Sequence, residues 1–325
     1  MTSNEERREA AKRKLEQRLE AEQQQVRRRR LMLGSAAGVV VLVAAAVGGF
    51  FIYRAWDDSR RVICTYNEAA DPFETLPDAL PANVPDESKK QMQELLDMYK
   101  QGEKQQRTSP TPQNDPLKEG TVQVTFDTSV GKIATTLNRA DGPCNVNGVI
   151  SLAQDGYYDD VPCHGITITK DAGAILCGDP TGTAGTSGGW AGGNPGWTMP
   201  DEVPTNLKPV GEPSPLDPSQ QSVVYPRGTV AVFNVNTPGN PMQMQQPVAN
   251  TGAGSLYFFL KDSPLLPNYT VIGSVDEGSL GVLDKITENG IAPAPGTYTP
   301  KPGEELQSGV PKTEVVVTGV GVRED

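Results

Sequence analysis

Histidine is nearly missing from this chain: His164 is the single one among 325 residues. That excludes any multi-histidine metal site and leaves one position for Ser–His–Asp chemistry. Cysteine is scarce as well, with only Cys64, Cys144, Cys163 and Cys177. None of them falls in a CxxC or a Cys–His ligand spacing, so a zinc site is the weaker reading of the set. Net positive charge is lacking over most of the length. The total is −11, yet residues 1–30 hold ten Lys/Arg against six Asp/Glu, so the remainder carries −15. An acidic bulk argues against a nucleic-acid partner, because phosphate neutralisation needs clustered cations. The Gly-rich stretch 178–189 has no GK[ST] and opens no helix, which removes phosphate cradling and leaves a surface loop. Nothing in the chain implies a cofactor.

Charge is also wholly absent from Leu31 to Tyr53, LMLGSAAGVVVLVAAAVGGFFIY. At ~1.5 Å per residue a helix of that length spans a hydrocarbon core of ~30 Å. Arg27–Arg30 precede it, and Tyr53, Arg54 and Trp56 follow. Basic flanks stay on the cytoplasmic side, so the expected topology is N-terminus inside and main domain outside. The run is longer than the ~7–15 apolar residues of a signal peptide and starts late, which favours a retained single-pass anchor over a cleaved leader. Gly34 and Gly38 form a GxxxG. That spacing lets two helices approach closely, although it is frequent by chance in such segments. Residues 1–30 read as a charged cytoplasmic helix whose apolar stripe, Leu15 and Leu19, is thin for a coiled coil.

Gly and Pro number 34 and 28, a share that favours short strands and loops over long helices. Residues 54–119 are polar and Pro-rich, and read as an extracytoplasmic stalk or spacer. Within it 86–101 can form an amphipathic helix turning Met92, Leu95, Leu96 and Met98 to one side, and 108–116 an extended linker. The four cysteines, even in number and expected outside the membrane, suggest two disulfides whose pairing spacing cannot choose.

From 120 to 325 the pattern is that of a β-rich domain. TVQVTFDT (121–128) and GKIATTLN (131–138) alternate around a tight turn. PCNVNGVISLAQDG (143–156) has apolar residues at helical spacing, opened by Pro143 and ended by Gly156. Strand pieces follow at 163–170, 174–178, 228–236, 255–261, 269–275 and 313–322, with a helix over 280–290. Many short strands with two helices predict a closed antiparallel barrel with helices capping its ends.

The series NRADGPCNVNGVISLAQDGYYDDVPCHG, CGDPTGT, NPGWTMPDE, YPRGTVAVFN and LPNYTVIGSV resembles the cyclophilin-type peptidyl-prolyl cis-trans isomerases, and more closely their membrane-anchored actinobacterial members. The resemblance runs in order over roughly residues 121–322. It implies a mainly β fold, an eight-stranded antiparallel barrel with two helices, and a rotamase acting in protein folding. Rotation about an X-Pro bond faces a barrier of ~18–20 kcal/mol and takes tens to hundreds of seconds uncatalysed. Its catalysis needs no nucleophile, only an apolar pocket for the proline ring and a donor for the twisting amide. In the family that donor is an arginine directly after the histidine of Cys163-His164-Gly165. The matching position is Gly165, so no catalytic residue is assigned. Lys170, on a flexible stem, is a poor replacement for a planar guanidinium. Leu176 stands where the family has a glutamine, Leu256 where it has a second one, Gly173 near its aromatic, and Phe233 where it has a small pocket residue. Leu265 and Tyr269 match pocket positions. Phe258 matches the pocket phenylalanine and reads equally as core. His164 is expected as a satisfied interior residue, and Arg227 as a structural one able in principle to reach the groove.

Three functions fit: a tethered isomerase acting on proline-containing exported polypeptides, a cyclophilin-like binding module with weak or lost turnover, or a scaffold element of an envelope complex contacted through the cytoplasmic helix. The missing arginine moves weight from the first to the second.

Overall fold

The computed structural model describes residues 2–184, 192–213, 221–237, 246–296, 301 and 303–324. The chain divides into two compact units, Met1–Arg60 and Arg61–Asp325.

The first unit is one continuous helix, α1 (Thr2–Ser59). Its described apolar side chains are exposed along the second half of the expected span, among them Phe50, Phe51, Ile52 and Tyr53. The side chains of Leu31, residues 33–41 and Val43, with both glycines of the GxxxG, lie outside the described residues. Among the described residues no helix is long and apolar enough to cross a membrane. Arg60 closes the unit by stacking its guanidinium over Trp56 at 4.5 Å.

The second unit begins with a segment that behaves as a belt rather than a spacer. Arg61 bridges to Leu117, and Cys64 N–H donates to the carbonyl of Asn114. Helix α2 (Asp86–Glu103) buries Leu96, Tyr99 and Gly102; of the expected side Met92, Leu95, Leu96 and Met98, only Leu96 is fully buried. The buried stripe follows i, i+3, i+6 because α2 lies against the loop at Thr181. A Cβ on Gly102 would stand 2.6 Å from the Thr181 carbonyl oxygen, so only glycine permits that approach. Phe73 packs edge-on against Tyr99 at 6.5 Å. Residues from 61 to 119 therefore share the compact unit of the β-domain, and the stalk expected over 54–119 holds its own buried core.

The β-domain follows the expected periodicities. Strands β1 (Thr121–Thr128) and β2 (Gly131–Asn138) form an unbroken antiparallel hairpin. Helix α3 (Pro143–Gln154) follows, with Pro143 in its first turn. Then come β3 (Gly165–Ile168), β4 (Gly173–Cys177), β5 (Val223–Tyr225), β6 (Thr229–Val232), β7 (Leu256–Lys261), β8 (Ser263–Leu265) and β9 (Thr270–Val275). Helix α4 (Leu280–Asn289), β10 (Ser308–Pro311) and β11 (Val316–Glu324) complete the unit.

The main sheet runs Ile291–Ala292, β10, β3, β4, β7, β6, β9, β2, β1, β11, Val161–Pro162, every neighbour antiparallel. It curls as a half-barrel. Val161–Pro162 at one edge is separated in the chain only by Cys163 and His164 from β3, the third strand from the other edge. Eleven strands stand in this sheet among the described residues, where eight were expected. The additions are Val161–Pro162 and the two pieces from the 290–311 segment, whose sequence lacks strand periodicity. The inner face is packed with Val122, Val124, Phe126, Val230, Phe258 and Ile272, against Val146, Val149 and Leu152 of α3 and Leu283 and Ile286 of α4. Such burial is the main stabilising term, at about 25 cal/mol per Å² of apolar area.

Both disulfides form and their pairing is now fixed. Cys64 joins Cys144 across 80 residues, tying the belt to the start of α3, and Cys163 joins Cys177 across 14. The long loop closed by the first removes several kcal/mol of unfolded-chain entropy, ~4 kcal/mol in the loop-closure description. Tyr66 reinforces it by donating to the Cys144 carbonyl at 2.9 Å.

Candidate functional site

Registers across the curled sheet assign each strand residue to a face, because partners directly opposite point the same way. Ile166, Ile175, Phe258 and Val230 are successive partners and form one row. All four are buried in the core. The row one residue away is Gly165, Leu176, Tyr257 and Ala231. Its first three members floor a cleft of about 700 Å³, while Ala231 is buried in a second apolar cluster.

That cleft has two walls. The sheet side supplies His164, Gly165, Leu176, Phe233 and Tyr257. The other side is the segment after α4, at Ala294–Gly296 and Glu304–Gly309, held in place where β10 pairs with β3 at Ser308–Thr167 and Gly309–Ile166. A second cleft of about 620 Å³ adjoins it, sharing His164, Ala294 and Pro295, and runs toward Gln101 and Gln105 of α2.

Aromatic rings dominate the sheet side. Phe233 meets Tyr257 at 5.2 Å and 84°, and Tyr257 meets Tyr269 at 5.1 Å and 82°. Behind them Tyr225 stacks on Phe259 at 4.9 Å. Leu265 packs into this second apolar cluster. The Tyr225 hydroxyl donates to the backbone around Leu266–Tyr269 and accepts from Tyr269 N–H at 3.2 Å. Burial pushes the phenols of Tyr225, Tyr257 and Tyr269 above the usual tyrosine range. The rings are therefore neutral at physiological pH, with the Tyr257 and Tyr269 hydroxyls bonded to each other.

Each residue expected at the site can now be placed. Leu176 and Phe233 line the cleft, and Gly165 lies at its floor. Tyr269 and Leu265 sit behind, supporting the rings. Phe258 is 1 % exposed and packs edge-on against Phe126 at 5.2 Å, inside the barrel. The core alternative holds for it, and Tyr257 takes the groove position. Leu256 likewise points inward. Lys170 is exposed and does not line the cleft; its carbonyl accepts from Lys261 Nζ. Arg227 does not approach the groove. It donates to the Leu280 carbonyl and to Asp284 Oδ1 at 2.6 Å, pinning β6 to α4. No Lys or Arg is among the described residues lining the cleft.

His164 lies on the rim shared by both clefts. Its Nε2 is 3.0 Å from the Ala184 carbonyl, which can only accept, so that nitrogen carries the proton in the neutral ring. Its buried Nδ1 has no partner among the described residues. Residues 178–184, the described part of the loop after β4, prove largely buried where a surface loop was expected. Asp179 is 1 % exposed and accepts from the Thr181, Thr183 and Ala184 backbone N–H groups and from Thr181 Oγ1. Residues 185–189 of that expected loop lie outside the described residues, as do 241–245 of PMQMQQP (241–247), a segment longer than its counterpart in the family that the sequence resembles.

Fold and cleft together define a curled-sheet β-domain with helices at its ends and an aromatic groove on its outer face. The chain belongs to the cyclophilin type peptidyl-prolyl cis-trans isomerase family, whose model matches residues 121–321. It is similar to a probable peptidyl-prolyl cis-trans isomerase B of Mycobacterium tuberculosis, 34% identical over 214 residues, which cover 66% of this chain and 57% of that one. A protein of the same description from Mycobacterium leprae is 34% identical over 177 residues, 54% of this chain and 52% of the other. The chain thus spans little more than half the length of these curated relatives. A crystal structure of a cyclophilin-type isomerase from Cryptosporidium parvum superposes with a TM-score of 0.44 at 18% identity, covering 63% of this chain and 99% of that one.

Proposed function

We propose that this is a membrane-anchored, extracytoplasmic cyclophilin-type domain that binds Xaa-Pro segments of exported proteins and turns them over weakly. The observation that carries the reading is the outward row Gly165–Leu176–Tyr257. It floors a cleft whose sheet side is apolar and aromatic, with no Lys or Arg among its described lining residues. An amide rotating about its C–N bond develops charge at the prolyl nitrogen, and a fixed donor aimed there is worth ~2.7–4 kcal/mol in comparable roles, or 10²–10³ in rate. Gly165 offers no such donor, and the hydrocarbon of Leu176 offers none beside it. Rings at Phe233 and Tyr257 can still hold a proline against an apolar surface. Binding without matching transition-state stabilisation is the expected balance.

The anchor reading is supported by the uncharged run 31–53, the Arg27–Arg30 flank and the exposed Phe50–Tyr53 stretch. An oxidising compartment is the natural one for two disulfides that tie the fold together. A non-catalytic binding or scaffold role in an envelope complex, or self-association through the GxxxG of the uncharged run, is the alternative.

The test is a cis–trans exchange assay on an Ala-Pro peptide with the full-length chain in a non-ionic detergent, next to an arginine-bearing member of the family. Acceleration at least ~100-fold lower, together with saturable peptide binding, is expected. Equal rates would overturn the weak-turnover reading, and absence of peptide binding would overturn the binding reading.

A further inference from the structure

Charge in the cleft is opposite in sign to that of a groove built around a guanidinium. Glu304 and Glu305 stand in the wall facing the sheet, and no Lys or Arg is among the described lining residues. The two carboxylates are set there by the fold. Glu304 Oε2 accepts the Lys301 N–H at 3.0 Å, and Glu304 N–H donates back to the Lys301 carbonyl. This reciprocal turn fixes the segment just before β10. Glu305 is the next residue and is exposed. Across the cleft lie the rings of Phe233 and Tyr257, whose π-faces attract cations. Carboxylates on one wall and aromatic rings on the other favour the same kind of ligand.

We infer that the cleft selects Xaa-Pro segments bearing a lysine or arginine beside the proline, with Glu305 as the specificity-determining residue and Glu304 supporting it. This rests on the reading of the cleft as a peptide site. The proline and its apolar neighbour lie on Leu176, Phe233 and Tyr257, and the flanking cation reaches Glu305. The −15 carried by the chain beyond residue 30 favours approach of the same ligand at long range.

The experiment uses the full-length chain in a non-ionic detergent and calorimetric titration with three peptides, Ac-Gly-Xaa-Ala-Pro-Xaa-Gly-amide, in which both Xaa are Lys, Ala or Glu. At low ionic strength the Lys peptide should bind about five- to tenfold tighter than the Ala peptide, and the Glu peptide more weakly than either. Raising salt to about 0.5 M should shrink the ratio below about twofold, since the screening length then falls well under 10 Å. Glu305→Gln should remove most of the preference, read as the ratio of the Lys peptide's Kd to that of the Ala peptide. Its exposed side chain makes a folding defect an improbable confounder, and circular dichroism checks it. Glu304→Gln should remove less. Affinities of the three peptides within twofold of one another, or a preference undiminished in E305Q, would overturn the inference while leaving the peptide site intact. If none of the three binds, the peptide site itself fails, and this inference with it.

Discussion

Two rows of the same four strands, one residue apart, have had different fates. The inner row, Ile166–Ile175–Phe258–Val230, is closed on all sides by Phe126 and the capping helices. The outer row, Gly165–Leu176–Tyr257–Ala231, carries no guanidinium or amide side chain, and Ala294–Gly296 and Glu304–Gly309 form a second wall across from its first three members. Packing constrains the first row at every atom. The second packs partly into another apolar cluster, at Ala231 and Tyr257, and borders the cleft at Gly165, Leu176 and Tyr257. A domain can therefore keep its fold while its groove is rebuilt, which is why fold alone does not fix activity.

The largest expected effect separates the rows by stability. Phe258→Ala should cost about 3–5 kcal/mol in denaturant unfolding, because it leaves a cavity lined by Phe126 and Val230. Tyr257→Ala should cost about 1–2 kcal/mol, typical of a half-buried site, and should weaken peptide binding instead. Equal costs would erase the distinction between the faces.

The next effect concerns chemistry. Gly165→Arg returns a guanidinium to the outer row, provided Leu176 gives by a few tenths of an ångström. A Cβ there meets only Leu176, at 3.3 and 3.7 Å. Exchange of the Ala-Pro peptide should nevertheless rise less than about tenfold, roughly 1.4 kcal/mol of barrier, since Phe233 and Leu176 still shape the floor and the new cation faces Glu304 and Glu305. Full recovery from this one change would mean that the groove is otherwise intact. Adding Phe233→Ala should raise the rate further, and no gain from the pair would place the defect elsewhere.

The smallest effect is a pH dependence. Burial, the first cause, raises the Tyr66 phenol to about 12 while its bond from Asn147 pulls the other way. The folded state then holds a proton that the unfolded chain releases near pH 10. Stability from this group is complete below pH 10 and declines as pH climbs from 10 toward 12. Tyr225, Tyr257 and Tyr269 of the outer cluster shift in the same direction through burial. Thermal melts between pH 9 and 11.5 should show a falling Tm, less steep in Tyr66→Phe. A flat profile would mean that these phenols are solvated.

Most of the strands and helices were legible. The hairpin at 121–138, the helix opened by Pro143 and the strand ending in Cys177 all follow from period and punctuation. The even balance between pocket and core at Phe258 has a simple cause. Leu256 to Leu260 is apolar at every position, so alternation gives two faces without saying which is inside. The one available signal was the phenol of Tyr257, since a ring with a polar tip suits the half-exposed face. The strand at 308–311 gave no signal, because SGVP has no alternation and is ordered by pairing with β3. The belt was misread because Leu96, Tyr99 and Gly102 make a stripe only when Thr181 lies against them.

By itself the sequence determined the strand and helix periods, the uncharged run at 31–53, the family and the glycine at 165, because each is a local property of residue type or order. The tertiary structure decided which cysteines pair, which face of Leu256–Lys261 looks into the barrel, and that the two glutamates before β10 stand opposite Tyr257. Those depend on which distant segments meet, and contacts between residues far apart in the chain leave no periodic trace in either partner alone.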